Sequence, residues 1–227
     1  MVTNATIITV HPGALPLQCC TYALKSELGI VLIDPGSGYY EHEVIAGLNA
    51  NGMTEEDVNW ALLTHYHVDH ALGVGSWQHR GTKVMASTDT AEKLRSASSM
   101  VWNEQPDLVP AVEVDAVLED GQRLELGGTT IECVATPGHT AGCMSFVVPT
   151  DEGRAAFTGD VLMYDFNPGW AGGKDFSADA LLHSLERLRA LSLTKAYPGH
   201  DTIEGDVTAW LSEGMRRGRA GLWRLTQ

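Results

Sequence analysis

Residues 65–70 read His-Tyr-His-Val-Asp-His and place four metal-binding side chains within six positions. In an extended or tightly turned backbone, successive side chains alternate sides, so we expect His65 and His67 to point the same way. Asp69 and His70 follow at once and can face a second point nearby. Histidine nitrogens together with a carboxylate suit zinc and other first-row metals. This stretch therefore predicts a metal site.

Three single residues further along the chain extend the pattern. His139 stands in Thr-Pro-Gly-His-Thr (136–140), Asp160 in Phe-Thr-Gly-Asp (157–160) and His200 in Tyr-Pro-Gly-His (197–200). Each follows a short apolar segment typical of a strand, as His65 does. Ligands at the ends of buried strands are held rigidly, whereas the loops after them stay accessible. We therefore expect all of these residues at one shared site on the edge of a sheet.

Strand and helix patterns alternate along the chain without a low-complexity linker or a break in composition, and we expect a single domain over residues 1–227. Strands are predicted at residues 6–10, 20–24, 29–33, 60–63, 83–86, 124–126, 130–135, 144–148, 154–158 and 195–197. Helices are predicted at residues 41–49, 89–96 and 177–191. A short helix is expected to begin at Thr54, which opens a capping-box sequence.

Acidic residues dominate the charge of the chain. It has 15 Lys and Arg against 29 Asp and Glu, a formal net charge of −14. A surface of this charge repels nucleic-acid phosphates and anionic membranes. We therefore expect a small-molecule substrate and neither a nucleic-acid nor a membrane partner. No apolar run of about 18 residues and no secretory leader is recognisable, so a cytoplasmic location is the default expectation.

Two further residue types carry open questions. The four cysteines form no Cys-x-x-Cys pair and are expected to be buried free thiols: Cys19, Cys20, Cys133 and Cys143. Cys143 follows His139 by four positions, and a role at the metal site is the alternative to a purely structural one. Four arginines near the C-terminus interrupt the acidic surface: Arg216, Arg217, Arg219 and Arg224. They indicate the solvated end of a terminal helix, or an anion-binding rim for a substrate or a neighbouring subunit, and a homodimer is left open.

The order of the seven metal-binding candidates resembles the pattern of the metallo-β-lactamase superfamily of hydrolases, over roughly residues 18–205. This resemblance implies an α/β fold built as a four-layer αββα sandwich, in which two mixed β-sheets lie between helices. It also implies two divalent metal ions at one edge, with zinc expected and iron or manganese as alternatives. The implied ligands are His65, His67 and His139 for the first metal, Asp69, His70 and His200 for the second, and Asp160 as the bridge.

The chemistry of these residue types is consistent with hydrolysis. Neutral imidazoles leave a bound metal with positive charge, which lowers the pKa of a coordinated water towards about 7. Two metals roughly 3.5–4 Å apart can share a hydroxide and stabilise a developing oxyanion. Asp69 is predicted as a catalytic residue that orients the hydroxide and accepts a proton. Asp34 either matches an outer carboxylate of the same families or caps a turn.

Within the superfamily, the bridging Asp160 favours the glyoxalase II-like hydrolases, lactonases and phosphodiesterase-like branches over true β-lactamases, which generally lack that carboxylate. We therefore expect a glyoxalase II-like hydrolase of a small ester, thioester or lactone. Two features differ from typical glyoxalase II enzymes. Only residues 201–227 follow His200, fewer than their helical C-terminal domain needs, and residues 161–168 lack their glycine-cysteine-glycine-arginine segment.

N-acyl homoserine lactonases are one alternative, since they share the ligand pattern and use a tyrosine after the bridging aspartate to steady the substrate carbonyl. Tyr164 is predicted as that catalytic residue, and Phe166, Trp170 and Trp102 as an apolar wall for the acyl group.

Persulfide dioxygenases, which use this scaffold with a single iron, are a second alternative. Residues 137–143 resemble their third-histidine segment. In that case His65, His139 and Asp160 would bind the iron.

Overall fold

The structure is a computed structural model that describes residues 6–15, 18–26, 29–96, 111–126, 129–203 and 205–225. Its strands are β1 (Thr6–Pro12), β2 (Cys20–Ser26), β3 (Gly29–Ile33), β4 (Val58–Leu62), β5 (Lys83–Ser87), β6 (Ala116–Leu118), β7 (Arg123–Leu126), β8 (Thr129–Ala135), β9 (Met144–Thr150), β10 (Gly153–Gly159) and β11 (Lys195–Pro198). Its helices are α1 (Glu41–Ala50), α2 (Val68–Ala71), α3 (Val74–His79), α4 (Thr88–Arg95), α5 (Ala178–Ala190) and α6 (Val207–Arg219).

The strands and helices predicted from apolar periodicity are confirmed, with ends that move by about two residues or fewer. The capping box also forms, because the backbone N–H of Thr54 donates to the Asp57 carboxylate at 3.2 Å and a single 3₁₀ turn follows. The sequence patterns miss α2, α3 and β6. These elements are only 4, 6 and 3 residues long, too short to show a period.

Both sheets are mixed. The first has the strand order β1-β2-β3-β4-β5-β6, antiparallel from β1 to β3 and parallel from β3 to β6. The second has the order β11-β10-β9-β8-β7 and is antiparallel except for the β10–β11 pair. In the second sheet, β8, β10 and β11 therefore run in the same direction. Their carboxyl ends lie at one edge of the sandwich.

Apolar side chains hold the layers together. Phe146 and Phe157 of the second sheet pack between the sheets against Ile33 and Leu62 of the first. On the outer face of the second sheet, leucines of α5 meet Trp210 of α6. Helices α1 and α3 cover one part of the first sheet, and α2, α3 and α4 cover another. Each fully buried side chain of this size contributes about 1.5–3 kcal/mol. The expected four-layer αββα sandwich is confirmed.

The topology brings the predicted ligands to one edge of the sandwich. His65 lies just beyond β4 of the first sheet, whereas His139, Asp160 and His200 follow β8, β10 and β11 of the second. Asp69 and His70 lie in the first turn of α2. The sequence predicts a loop at this position. Among the described helices, none has the length and apolar character needed to span a membrane.

Candidate metal centre

Three buried imidazoles meet at the edge of the sandwich. Nε2 of His65, Nδ1 of His67 and Nε2 of His139 lie between 2.9 and 3.2 Å from one another. A tetrahedral zinc ion with Zn–N bonds of about 2.0–2.1 Å holds its nitrogen ligands roughly 3.3 Å apart. The three nitrogens are therefore spaced as the ligands of one metal ion are.

Burial keeps these imidazoles neutral. It lowers the pKa of His67 to about 3, and it also lowers the pKa values of His65 and His139 below their usual range. A neutral imidazole retains one lone pair, and a protonated one has none. The burial that prevents protonation thus leaves each ring able to bind a metal.

The second group consists of Asp69, His70 and His200. Nε2 of His200 lies 3.0 Å from Oδ2 of Asp69, and Nε2 of His70 lies 3.7 Å from the same oxygen. Burial lowers the pKa of His200, but the Asp160 and Asp69 carboxylates outweigh this effect and raise it above its usual value. His70 is fully buried, whereas the side chain of His200 is 26% exposed. This half of the cluster is therefore rich in negative charge and reaches the protein surface at His200.

Asp160 lies between the two groups. Its Oδ1 is 3.3 Å from Nε2 of His70, and its Oδ2 is 3.6 Å from Nε2 of His139 and 3.7 Å from Nε2 of His200. The neighbouring Gly199 permits this placement, since a Cβ atom there would overlap Oδ1 of Asp160. One carboxylate thus faces ligand atoms of both groups.

The donor atoms of the cluster fit a metal ion. Oδ1 of Asp69, Nε2 of His70 and Oδ1 of Asp160 are buried and have no well-aligned hydrogen bond within the described part of the chain. An unsatisfied buried polar atom costs about 1–3 kcal/mol. Asp69, His70 and Asp160 belong to groups whose ligand atoms all lie within 4.8 Å of one another. Divalent cations at this edge would satisfy Nε2 of His70 and Oδ1 of Asp160 together and would leave Oδ1 of Asp69 to a bound water.

Asp34 holds one ligand of each group in orientation. Its Oδ2 accepts hydrogen bonds from the Thr64 hydroxyl at 2.6 Å and from Nδ1 of His70 at 2.8 Å, while its Oδ1 accepts one from the Thr64 backbone. Because the Thr64 hydroxyl donates its proton to Asp34, we infer that it accepts from Nδ1 of His65, 3.0 Å away. Nε2 of His65, and Nε2 of His70 in its neutral form, then present lone pairs to the cluster. These contacts favour the outer-carboxylate interpretation of Asp34.

A profile of the metallo-β-lactamase superfamily matches residues 14–200. The chain belongs to the metallo-β-lactamase superfamily. Members of this superfamily are typically hydrolytic enzymes that bind divalent metals, and the histidine-rich cluster is the corresponding candidate site in this chain.

Two curated relatives and one solved structure illustrate the relationship. The beta-lactamase-like protein 2 homolog of Caenorhabditis elegans is 26% identical over 94% of this chain and 68% of its own length. The atrochrysone carboxyl ACP thioesterase of Aspergillus fumigatus is 30% identical over 85% of this chain and 54% of its own length. The chain thus spans between about half and two thirds of these relatives. The FEZ-1 metallo-β-lactamase of Legionella gormanii superposes with a TM-score of 0.76 at 19% identity, covering 98% of this chain and 97% of that one, which shows the shared fold.

In this superfamily member, a second carboxylate supports the segments that carry His65, His67 and His139. The sequence patterns do not predict it. Asp175 accepts hydrogen bonds from the Tyr66 hydroxyl, at 3.0 and 3.3 Å, and from the Ala141 N–H at 3.2 Å. Tyr66 stands between His65 and His67 in the sequence. Asp175 therefore ties the loop after Asp160 to the segments that carry the histidines. No local signal marks this contact, because Tyr66 and Asp175 are 109 positions apart.

The predicted aromatic residues separate into three places. Tyr164 and Trp170 line a cleft of about 400 Å³ beside His200, and the indole ring of Trp170 lies 5.6 Å from the His67 ring. Tyr164 is 59% exposed and forms part of the cleft wall. Phe166 lies instead below the guanidinium of Arg217, at 4.7 Å, and faces a neighbouring groove. Trp102 lies outside the described residues. The catalytic role of Tyr164 stays a prediction.

The cysteines are buried free thiols, as expected. Cys143 accepts a hydrogen bond from the Thr140 N–H at 3.3 Å and so supports the loop that follows His139. Burial raises the pKa values of Cys143 and Cys19 to about 12. Both thiols therefore remain protonated at neutral pH, and protonated thiols are poor metal ligands.

The C-terminal arginines and the remaining histidines lie outside the cluster. The ion pairs of the arginines are Arg216 and Arg217 with Glu213, Arg219 with Glu186, and Arg224 with Asp165. These pairs favour a solvated helix end, although Arg224 also lines the cleft. The histidines outside the ligand groups are His11, His42, His79 and His183.

Proposed function

We propose that this protein is a metal-dependent hydrolase of the glyoxalase II-like branch that cleaves an ester, thioester or lactone with two divalent metal ions, most simply zinc. The position of Asp160 carries the proposal. Its two oxygens face His70 on one side and His139 and His200 on the other, at 3.3–3.7 Å. A carboxylate so placed suits a bridge between two ions.

The donor set divides between the two ions in a simple way. The first ion would be held by His65, His67 and His139, the second by Asp69, His70 and His200, and both by Asp160. Divalent ions at such a centre supply Lewis acidity, which lowers the pKa of water towards about 7 and polarises an acyl carbonyl. The remaining chemistry belongs to side chains of the chain itself.

Asp69 and Tyr164 have separate proposed roles. Oδ1 of Asp69 has no hydrogen-bond partner among the described residues and is free to orient the attacking water and hold its proton. Attack of the water oxygen on the acyl carbon would form a new carbon–oxygen bond and break the carbon–sulfur or carbon–oxygen bond to the leaving group. The proton held by Asp69 would then pass to the leaving group. Tyr164, on the wall of the cleft beside His200, would donate a hydrogen bond to the carbonyl oxygen.

A thioester is the substrate that we favour. The Aspergillus fumigatus relative is named as a thioesterase, and the bridging carboxylate is the feature on which we base the glyoxalase II-like branch. The cleft of about 400 Å³ lies directly beside His200 and has room for an acyl group.

Metal content and hydrolysis test this proposal together. We expect elemental analysis of protein purified without added metal to give about two zinc ions per chain, and the same protein to hydrolyse acyl thioesters. Asp160→Asn should lower both the metal content and the rate, with the circular dichroism spectrum unchanged. A single iron per chain, together with oxygen uptake in the presence of a persulfide, would contradict the hydrolase proposal and indicate a dioxygenase.

A further inference from the structure

A second groove continues from the cleft beside His200. It measures about 530 Å³, compared with about 400 Å³ for the cleft, and Tyr164 lines both. Its walls include Tyr164, Phe166, Ile203, Asp206, Trp210 and Glu213. The groove therefore leads from the candidate metal centre along the first turns of α6, with Tyr164 at the junction.

The floor of this groove is apolar. Phe166 and Ile203 are partly buried and pack on the cluster that includes the buried Trp210. Its two acidic residues already have partners. Asp206 accepts a hydrogen bond from the Ala209 N–H at 3.1 Å and caps α6, while Glu213 pairs with Arg216 and Arg217.

We propose that this groove binds the hydrocarbon part of a medium-chain acyl thioester, with octanoyl as the representative group. The proposal rests on the proposed thioester hydrolysis. The carbonyl carbon would lie in the cleft beside His200, the chain would pass Tyr164, and its end would cover Ile203 and Trp210. A short acyl group would stop in the cleft and leave the apolar floor exposed to water.

Two observations favour an acyl chain over a polar ligand. Phe166, Ile203 and Trp210 give the groove an apolar floor, and Glu213 on its wall is already paired with Arg216 and Arg217. Tyr164 also lines both the groove and the cleft, so an extended substrate that passes this residue would contact both. Each fully buried methylene strengthens binding by about fourfold. In an open groove that covers only part of the chain, we expect about twofold for each methylene.

The test compares butanoyl-, hexanoyl- and octanoyl-coenzyme A as substrates of the metal-loaded protein. We expect kcat/KM to rise about tenfold from butanoyl to octanoyl, mainly through a lower KM. Ala209→Glu places a carboxylate in the groove at an exposed position of α6. Glutamate is favoured in the first turn of a helix, so this variant should fold normally.

Thr208→Glu is the matched control. Thr208 is also exposed and stands in the same turn, but it does not line the groove. We expect Ala209→Glu to bring the octanoyl-to-butanoyl ratio of kcat/KM close to one and Thr208→Glu to preserve it. A wild-type rate that is independent of chain length would overturn the proposal, as would equal loss of the ratio in both variants.

Failure of the thioesterase proposal is recognised separately. If the metal-loaded protein hydrolyses no thioester, calorimetric binding of octanoyl- and butanoyl-coenzyme A still decides the question of the groove. Tighter octanoyl binding that Ala209→Glu abolishes and Thr208→Glu retains would support an acyl-binding groove. Equal affinity for the two ligands would reject it.

Discussion

The Asp34 carboxylate accepts a hydrogen bond from Nδ1 of His70 at 2.8 Å, although the two residues are 36 positions apart. The same oxygen accepts the hydroxyl proton of Thr64, which contacts His65. His65 and His70 belong to different halves of the candidate metal centre. One buried carboxylate therefore orients a ligand in each half, and a change at Asp34 should affect both.

Replacing Asp34 by asparagine tests this coupling. The single amide oxygen of asparagine can accept only some of the present hydrogen bonds. The NH₂ group of the amide would face the remaining donors of Thr64 or His70. We expect metal affinity at both sites to fall by about 10–100-fold, measured by competition with a chelator. Asparagine tolerates the positive φ of 50° at this position, so the melting temperature of the metal-free protein should change little. Loss at only one site would contradict the coupling.

Thr64 should act through its hydroxyl alone. In Thr64→Val the shape is retained, but Nδ1 of His65 loses its acceptor, and we expect weaker metal binding and an altered imidazole N–H signal in the NMR spectrum. Thr64→Ser restores the hydroxyl and should restore both readouts. If the valine and serine variants bind metal equally well, the proposed tautomer of His65 is wrong.

The two-metal mechanism predicts a specific loss of function in His67→Ala and Asp69→Ala. Both variants should lose metal and hydrolytic activity while the fold survives, because the layers of the sandwich pack elsewhere. Metal content, thioester hydrolysis and circular dichroism should be measured together. His183→Ala is a suitable control, since the side chain of His183 is 80% exposed and lies outside the cluster. Full activity in either ligand variant would exclude the mechanism.

The contact of Asp175 with Tyr66 should hold the loop that carries Trp170. Tyr66→Phe removes the 3.0 Å hydrogen bond, which we expect to cost about 1 kcal/mol. KM should rise more than kcat falls, because Trp170 lines the cleft but is not a predicted ligand. Tyr39→Phe is the control at a 66% exposed tyrosine. Unchanged KM and unchanged tryptophan fluorescence would show that the contact does not position the loop.

Removing the metal should destabilise the fold. At free metal concentrations of about 100–1,000 times Kd, binding stabilises a protein by roughly 2.7–4.1 kcal/mol. For a chain of 227 residues, this corresponds to a decrease in Tm of about 5–16 °C after chelation. Zinc added back should restore the Tm of the wild type but not that of His67→Ala. An unchanged Tm after verified metal removal would show that the ion does not bind the folded chain more tightly than the unfolded chain.

Local signals account for much of what could be predicted. Leucines of α5 recur with a helical period, and the strands before His65 and His139 are short apolar runs. These features depend on neighbours in the chain and on hydrophobic burial. The order of the ligand candidates similarly indicates the superfamily and its αββα fold.

Other features needed the folded chain. The helix α2 is too short for a periodic signal, and it moves Asp69 and His70 from the expected loop into a helical turn. No pattern at Asp175 predicts its contact with Tyr66. The groove beyond Tyr164 likewise joins the loop after Asp160 to the start of α6.

The sequence by itself determined the residue types of the candidate metal centre, the strands and helices that carry them, and the strongly acidic surface, because these follow from composition and short-range order. Only the tertiary structure decided which atoms meet. The link from Asp34 to both His65 and His70, and the brace from Asp175 to Tyr66, join residues brought together when the layers of the sandwich pack. Such contacts depend on the packing of the whole chain, and sequence spacing alone does not encode them.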